Sequence, residues 1–275
     1  MAAAHTITGS DGTPLQVTDD GEGSPVVLLH GLACDGSMFD AVRAELREHR
    51  RVLVMDLRGH GKSQPVEGGF TLAEQADDIW ALIEQLDLHD VTLVGHSAGG
   101  YAALAFAATY ADLANKRVAA VLTVGTSASL QQIRERFVLR FSTTRLFYAL
   151  MRNKVIGRSV VRVGGFGRRP DAALVEHTRQ MALSCSRSVK LAWVKAIVGT
   201  SLQPDIVDLA TPLHFATGSR DSTVTPKRLR ALAALTGGGV TAIEGAGHMA
   251  PLERPRDVAH LIAGVAVTKA SDERP

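Results

Sequence analysis

Residues 95 to 100 read Gly-His-Ser-Ala-Gly-Gly, and with their neighbours they constrain the fold more than any other part of the chain. The apolar run Val91-Thr92-Leu93-Val94 precedes them, and the Ala-rich stretch Tyr101 to Tyr110 follows. A strand that turns abruptly into a helix through G-x-S-x-G needs glycine where backbones pass closely, and it leaves the serine at a strained corner with its hydroxyl exposed. Gly95 and Gly99 meet the first need, and Ser97 takes the corner as the candidate nucleophile.

The rest of the chain supplies the sheet such a turn requires. An N-terminal hairpin turns at Ser10-Asp11-Gly12. Apolar strands at Val26 to His30, Val52 to Leu57, Val91 to Gly95 and Val118 to Val124 then alternate with helical patterns near Met38 to Arg47 and Leu72 to Leu86. This alternation predicts an α/β fold with a mainly parallel sheet covered by helices on both faces, and ligands on such sheets bind at the carboxyl ends of the strands. A chain of 275 residues suits one catalytic domain. Its last ten residues, with Lys269 and Ser271 to Pro275, read as a frayed polar tail.

A serine needs a base and an orienting acid, which this architecture places in the chain order Ser, Asp or Glu, His. Val240 to Glu244 reads as a strand that runs into Gly245-Ala246-Gly247-His248. Leu213 to Thr217 reads as another, running into Gly218-Ser219-Arg220-Asp221. Position must choose among 10 histidines. His30, His96 and His248 all stand at strand ends, but only His248 follows the acid and lies far from Ser97 in sequence, so His248 is the expected base and Asp221 the expected acid.

Taken together, His30-Gly31-Leu32, Asp56-Leu57-Arg58-Gly59-His60-Gly61-Lys62-Ser63, the turn at Ser97, the Gly-Ser-Arg-Asp at 218 to 221 and the Gly-Ala-Gly-His at 245 to 248 resemble the α/β-hydrolase superfamily over nearly the whole chain. The resemblance implies that fold with a helical cap insertion. It also implies an oxyanion hole built from the backbone amides of Ala98, which follows the nucleophile, and Leu32, which follows His-Gly. His30 is expected to fix that loop by hydrogen bonding. Serine at the corner, where relatives that open epoxides carry aspartate, argues for acyl transfer. The expected activity is therefore hydrolysis of a carboxylic ester, an apolar acyl ester or lactone, through Ser97, His248, Asp221 and an acyl-enzyme. The scaffold leaves open a thioesterase, a C–C bond hydrolase, a perhydrolase or cofactor-free oxygenase, and, from another class, a non-hydrolytic ligand receptor that kept the triad. The cap sequence does not narrow the resemblance to one subfamily, so the substrate stays open.

No cofactor or metal is expected. The chain has no G-x-x-x-x-G-K-[ST], no G-x-G-x-x-G opening a helix and no His or Cys spacing suited to zinc. Gly59-His60-Gly61-Lys62-Ser63 lacks the first glycine of a phosphate loop and reads as an Asp-x-x-Gly-x-Gly-x-Ser turn. Nothing points to nucleic acid. No stretch approaches the ~18 apolar residues of a membrane span. Met1 to His5 lacks the n-region and h-region of a signal peptide, so the expected location is cytoplasmic. Cys34 and Cys185 are expected as free thiols, with Cys34 a small apolar filler near the oxyanion loop.

Between the strands at Val118 to Val124 and Leu213 to Thr217 the alternation stops. Residues 127 to 206 are expected to form the cap, with 1 to 126 and 207 to 275 as the core. The cap holds fourteen Arg and Lys against four Asp and Glu, a net +10 in a chain whose total is +2, which leaves −8 for the rest. Two readings stand: a solvated helix surface, or a site for an anionic substrate, an acidic carrier or an anionic membrane. Interleaved apolar residues such as Phe137, Leu139, Phe141 and Trp193 can wall an acyl pocket, and Gly164-Gly165-Phe166-Gly167 reads as a hinge or turn.

Overall fold

A computed structural model of the chain describes residues 2–63, 70–130 and 133–265. The expected polar tail at 266–275 lies outside them. Eight strands form one sheet: β1 (Ala3–Thr8), β2 (Pro14–Asp20), β3 (Pro25–Leu29), β4 (Arg51–Met55), β5 (Val91–His96), β6 (Val118–Val124), β7 (Leu213–Gly218) and β8 (Gly239–Ile243). Their order is β1-β2-β4-β3-β5-β6-β7-β8; β1 and β2 run antiparallel, and every pair from β4 to β8 is parallel.

Side chains on a strand alternate between faces, and here both faces are buried. Val27, Leu29, Leu53, Met55 and Leu93 pack in one core with α2 (Leu72–Gln85) and α3 (Ala98–Thr109). Val26, Leu28, Val52, Val54, Val94 and Leu122 pack in the other with α1 (Asp40–Leu46) and the C-terminal helix. Helix α3 is apolar all round, and Ala98 to Ala107 are all buried because sheet, α2 and later helices enclose it. The short α4 (Ala111–Arg117) leads directly into β6.

The connection β3–α1–β4 builds one way from β3, while β4–α2–β5 returns across it, so the strand order reverses between β3 and β5. A crevice opens at the carboxyl ends of strands at such a switch point. Leu32 follows β3 and Ser97 follows β5, which places the two at that crevice.

A helical insertion separates β6 from β7. It comprises α5 (Ile133–Ser142), α6 (Arg145–Arg152), α7 (Lys154–Gly165), α8 (Ala172–Ser184), α9 (Arg187–Ile197) and α10 (Gln203–Ile206). Thr144, Asn153, Asp171 and Ser186 cap α6 to α9 by accepting backbone amides of the first turns. After β7 come α11 (Pro226–Thr236), β8, α12 (Ala250–Glu253) and α13 (Pro255–Val265), and α13 packs on α1. Trp193 of α9 is fully buried and meets Phe70 edge-on at 5.3 Å, which ties the insertion to the sheet domain.

Candidate active site

Ser97 stands between β5 and α3 with φ 50° and ψ −110°, a conformation that costs a non-glycine residue on the order of 1–3 kcal/mol. The surroundings enforce it. The Ser97 amide donates to the Val124 carbonyl at 2.9 Å, and its own carbonyl accepts from Gly100 N at 3.0 Å and Thr126 Oγ1 at 2.9 Å. A Cβ at Gly95 would collide with the Gly100 backbone, and one at Gly99 with the carbonyls of Leu29 and His30. The two glycines flanking the corner are therefore required by close approach.

Asp221 and His248 lie on the loops after β7 and β8, and folding brings them together: His248 Nδ1 donates to Asp221 Oδ2 at 2.8 Å. Asp221 is 4% exposed. Its other oxygen accepts from the amides of Thr223 at 2.7 Å and Val224 at 2.9 Å, and Thr217 Oγ1 lies 3.0 Å from Oδ2. Burial alone would raise this carboxyl's pKa, but the neighbouring His248 and the amide donors outweigh it and hold the carboxyl at about 2. Burial pulls His248 down, and the Asp221 charge and hydrogen bond overcome that, so the imidazole sits above its usual value. With Nδ1 committed to Asp221, Nε2 is the nitrogen free to exchange a proton.

The loop after β3 presses on the corner. A Cβ at Gly31 would stand 2.7 Å from His96 Nδ1 and 3.3 Å from Ser97 Cβ. Among the described residues, neither the Leu32 amide nor the Ala98 amide has a hydrogen-bond acceptor. Ala98 opens α3, so the positive end of that helix points the same way. Two buried histidines fix the loop. His30 Nδ1 donates to the Gly31 carbonyl at 2.9 Å while Nε2 accepts from Leu57 N at 3.0 Å. His60 donates from Nδ1 to the Arg58 carbonyl at 3.2 Å and accepts from Ala33 N at 3.2 Å. His96, also buried, donates to the His248 carbonyl at 2.9 Å.

Ser97, Ala98, Leu32 and His248 line one cavity of about 310 Å³. Its walls are mainly apolar, from Tyr101, Leu130, Leu139, Ile197 and Val224, with Val138 and Val163 at the rim. A separate cleft, lined in part by Asp205, lies between α2, α3 and α9. Cys34 is buried behind the loop and Cys185 in the insertion; both thiols are free, and burial pushes them to about 12 and about 11.

Some contacts escape sequence reasoning. The Glu253 carboxylate accepts from Gly247 N and from Gly167 N, each at 2.8 Å, and the Met249 amide donates to the Gly165 carbonyl at 2.9 Å. The glycine segment expected as a hinge or turn is instead the end of α7, at Gly164 and Gly165, followed by an extended exit through Phe166 and Gly167 that is pinned to the His248 loop. Arg58 is buried in a bidentate pair with Asp78, at 2.6 Å for each bond, and reaches Asp11 at 2.9 Å. An Arg at this point of the turn hints at a carboxylate partner, but local sequence does not say which. The basic charge of the insertion is not all on its surface either: Arg179 and Lys190 are buried, and Glu176 pairs with Arg158 and Arg179.

The chain matches the model of a family described as alpha/beta hydrolase over residues 26–261. A solved thermophilic esterase from Thermogutta terrifontis is 28% identical and superposes with a TM-score of 0.81, over 98% of this chain and 99% of its own. The enol-lactonase of Burkholderia xenovorans, 24% identical, shares the fold with a TM-score of 0.80 over 96% of this chain and 100% of its own. Among curated proteins, the non-heme chloroperoxidase of Kitasatospora aureofaciens is 43% identical over 94 residues, a match that spans 34% of each chain.

Proposed function

The chain belongs to the alpha/beta hydrolase family, and on that premise we propose that it is a serine hydrolase of carboxylic esters with small apolar acyl groups, lactones included. The observation that carries the reading is the convergence on one apolar cavity of a strained serine corner, a histidine held by a buried carboxylate at 2.8 Å, and two amides without acceptors. His248 Nε2 takes the Ser97 proton as Oγ attacks the ester carbonyl, and the amides of Leu32 and Ala98 receive the developing oxyanion. His248 then protonates the departing alkoxide, and a water activated by the same nitrogen releases the acid.

Residues 127–206 act as the cap and supply Leu130, Val138, Leu139, Val163 and Ile197 to the wall, with 1–126 and 207–275 as the core. A cavity of about 310 Å³ stands at the low end of ligand pockets and favours short acyl chains. The test is turnover of p-nitrophenyl esters of increasing acyl length, with a fluorophosphonate probe labelling Ser97. Absence of both turnover and labelling refutes the reading and favours a ligand receptor.

The likeness to the chloroperoxidase favours one second reading, perhydrolysis, in which hydrogen peroxide replaces water in attack on the acyl-enzyme and a peracid leaves. Peracid formation that exceeds acid release at equal ester consumption distinguishes it.

A further inference from the structure

Of the nine large hydrophobic side chains exposed among the described residues, six lie between Phe137 and Val163 of the insertion. Phe137 and Val138 are on α5, Leu146 on α6, and Val155, Ile156 and Val163 on α7, where Val155 and Val163 are 77% and 81% exposed. Val155, Ser159 and Val163 follow one another at four-residue spacing along a single side of α7. Scattered exposed apolar residues are ordinary, but a concentration in 27 consecutive residues marks a contact surface.

The same stretch carries Arg140, Arg145, Arg152, Lys154, Arg158 and Arg162 and no acidic residue, and Arg136 immediately precedes it. All seven are exposed, and among the described residues only Arg158 has a carboxylate partner, Glu176 at 2.8 Å. Val138 and Val163 also line the cavity that holds Ser97 and His248. Through Val138 and Val163 the apolar and cationic surface reaches the cavity mouth.

We propose that the exposed face of α5, α6 and α7 docks on an anionic lipid surface, with the arginines at the headgroups and Phe137, Leu146, Val155 and Val163 below them, so that the mouth opens at the interface. Charge selects this occupant. A second copy pairing through the same face would bring seven cations against seven, whereas an anionic bilayer accepts both the cations and the apolar side chains between them. The inference rests on the surface of the insertion and not on the ester-hydrolase reading, and binding is read without substrate, so either can fail alone.

The test is sedimentation of the full chain with vesicles of phosphatidylcholine alone and of phosphatidylcholine mixed with phosphatidylglycerol, at about 0.1 M and about 1 M salt, where the Debye length falls from about 10 to about 3 Å. Binding is expected only to the anionic vesicles and mainly at the lower salt. The Arg145→Gln/Arg152→Gln/Lys154→Gln variant should partition on the order of 100-fold more weakly, about fivefold per cation removed. Val155→Asp should also weaken binding, with an unchanged melting temperature as the control for folding. No binding to anionic vesicles, equal binding to both vesicle types, or a triple variant that binds as well as the parent chain overturns the proposal. A dimer in solution that Val155→Asp dissociates overturns it too, by making a second copy the occupant.

Discussion

Replacing Asp221 by Asn tests the proposed mechanism most directly, because the structure fixes which way the new amide must face. One oxygen of Asp221 accepts two backbone amides, from Thr223 at 2.7 Å and Val224 at 2.9 Å. The Asn oxygen must take that place, since turning its NH₂ there would set donor against donor twice in a buried site, at about 1–3 kcal/mol for each unsatisfied group. The NH₂ then faces His248 Nδ1, and the Thr217 hydroxyl at 3.0 Å can rotate to accept its second hydrogen. His248 Nδ1 must now be the bare, accepting nitrogen, so its proton moves to Nε2, the nitrogen that has to receive the proton of Ser97. The imidazole is locked in the wrong tautomer, and the negative charge that stabilises the imidazolium is lost as well. Loss of kcat on the order of 10⁴ is expected, about 5.4 kcal/mol at 1.36 kcal/mol per tenfold. The assay is steady-state hydrolysis of a short p-nitrophenyl ester, with thermal melting as the control for folding. A folded Asn variant within about tenfold of the parent kcat would show that Asp221 does not set the tautomer, and the mechanism would be wrong at that step.

Ser97→Ala should bring turnover below about 1% of the parent and abolish fluorophosphonate labelling; activity above that level places the nucleophile elsewhere. Because His248 must be neutral to accept a proton and Asp221 raises its pKa, the rate should fall as pH drops through a value above about 6.5, and a profile flat to about pH 4.5 contradicts the assignment. Arg58→Met strands Asp78 as an unpaired buried carboxylate and should destabilise the fold by about 3–5 kcal/mol. That is roughly a 10 °C drop in melting temperature, and a drop under about 2 °C would deny that the pair is buried as described. Glu253→Ala removes the acceptor shared by Gly167 and Gly247, so kcat should fall on the order of tenfold with KM little changed, and Glu253→Gln should recover part of it by keeping one acceptor oxygen. An unchanged kcat in the Ala variant would mean that the His248 loop holds its place without the clamp.

The strands and the loops around the site were legible because apolar runs ended by glycine are local signals. β6 runs from Val118 to Val124 as the pattern predicts, and β5, β7 and β8 shift by a residue or so. Helix α3 begins at Ala98 although glycine is a poor helix former, because tight packing beneath the carbonyls of Leu29 and His30 overrides that propensity at Gly99. The insertion helices were legible in principle from Thr144, Asn153, Asp171 and Ser186, whose side chains cap the first turns. What no local pattern carries is pairing across distance. Glu253 meets Gly167 across 86 positions, and Arg58 meets Asp78 across 20. The +10 of the insertion was countable from the sequence, but the burial of Arg179 and Lys190 depends on which helix face packs inward.

Four histidines belong to the site and the loops that support it, and their environments divide them into one group that titrates and three that hold. Burial, reinforced by His30 and by His248 respectively, depresses His60 and His96 to about 3, and burial also lowers His30 against the pull of Asp56. Each neutral ring of the loop pair has one nitrogen that accepts: His30 from Leu57 N, and His60 from Ala33 N. Protonation would turn those acceptors into donors facing amide N–H groups, and the loop that presents Leu32 would lose its anchors. His248 alone has a buried carboxylate on one nitrogen and the cavity before the other, so it alone is driven upward. Acid should therefore remove activity in two separate stages. The first is a single protonation of His248; the second sets in only near pH 3, where His60 and His96 charge, with Asp221 held lower still at about 2.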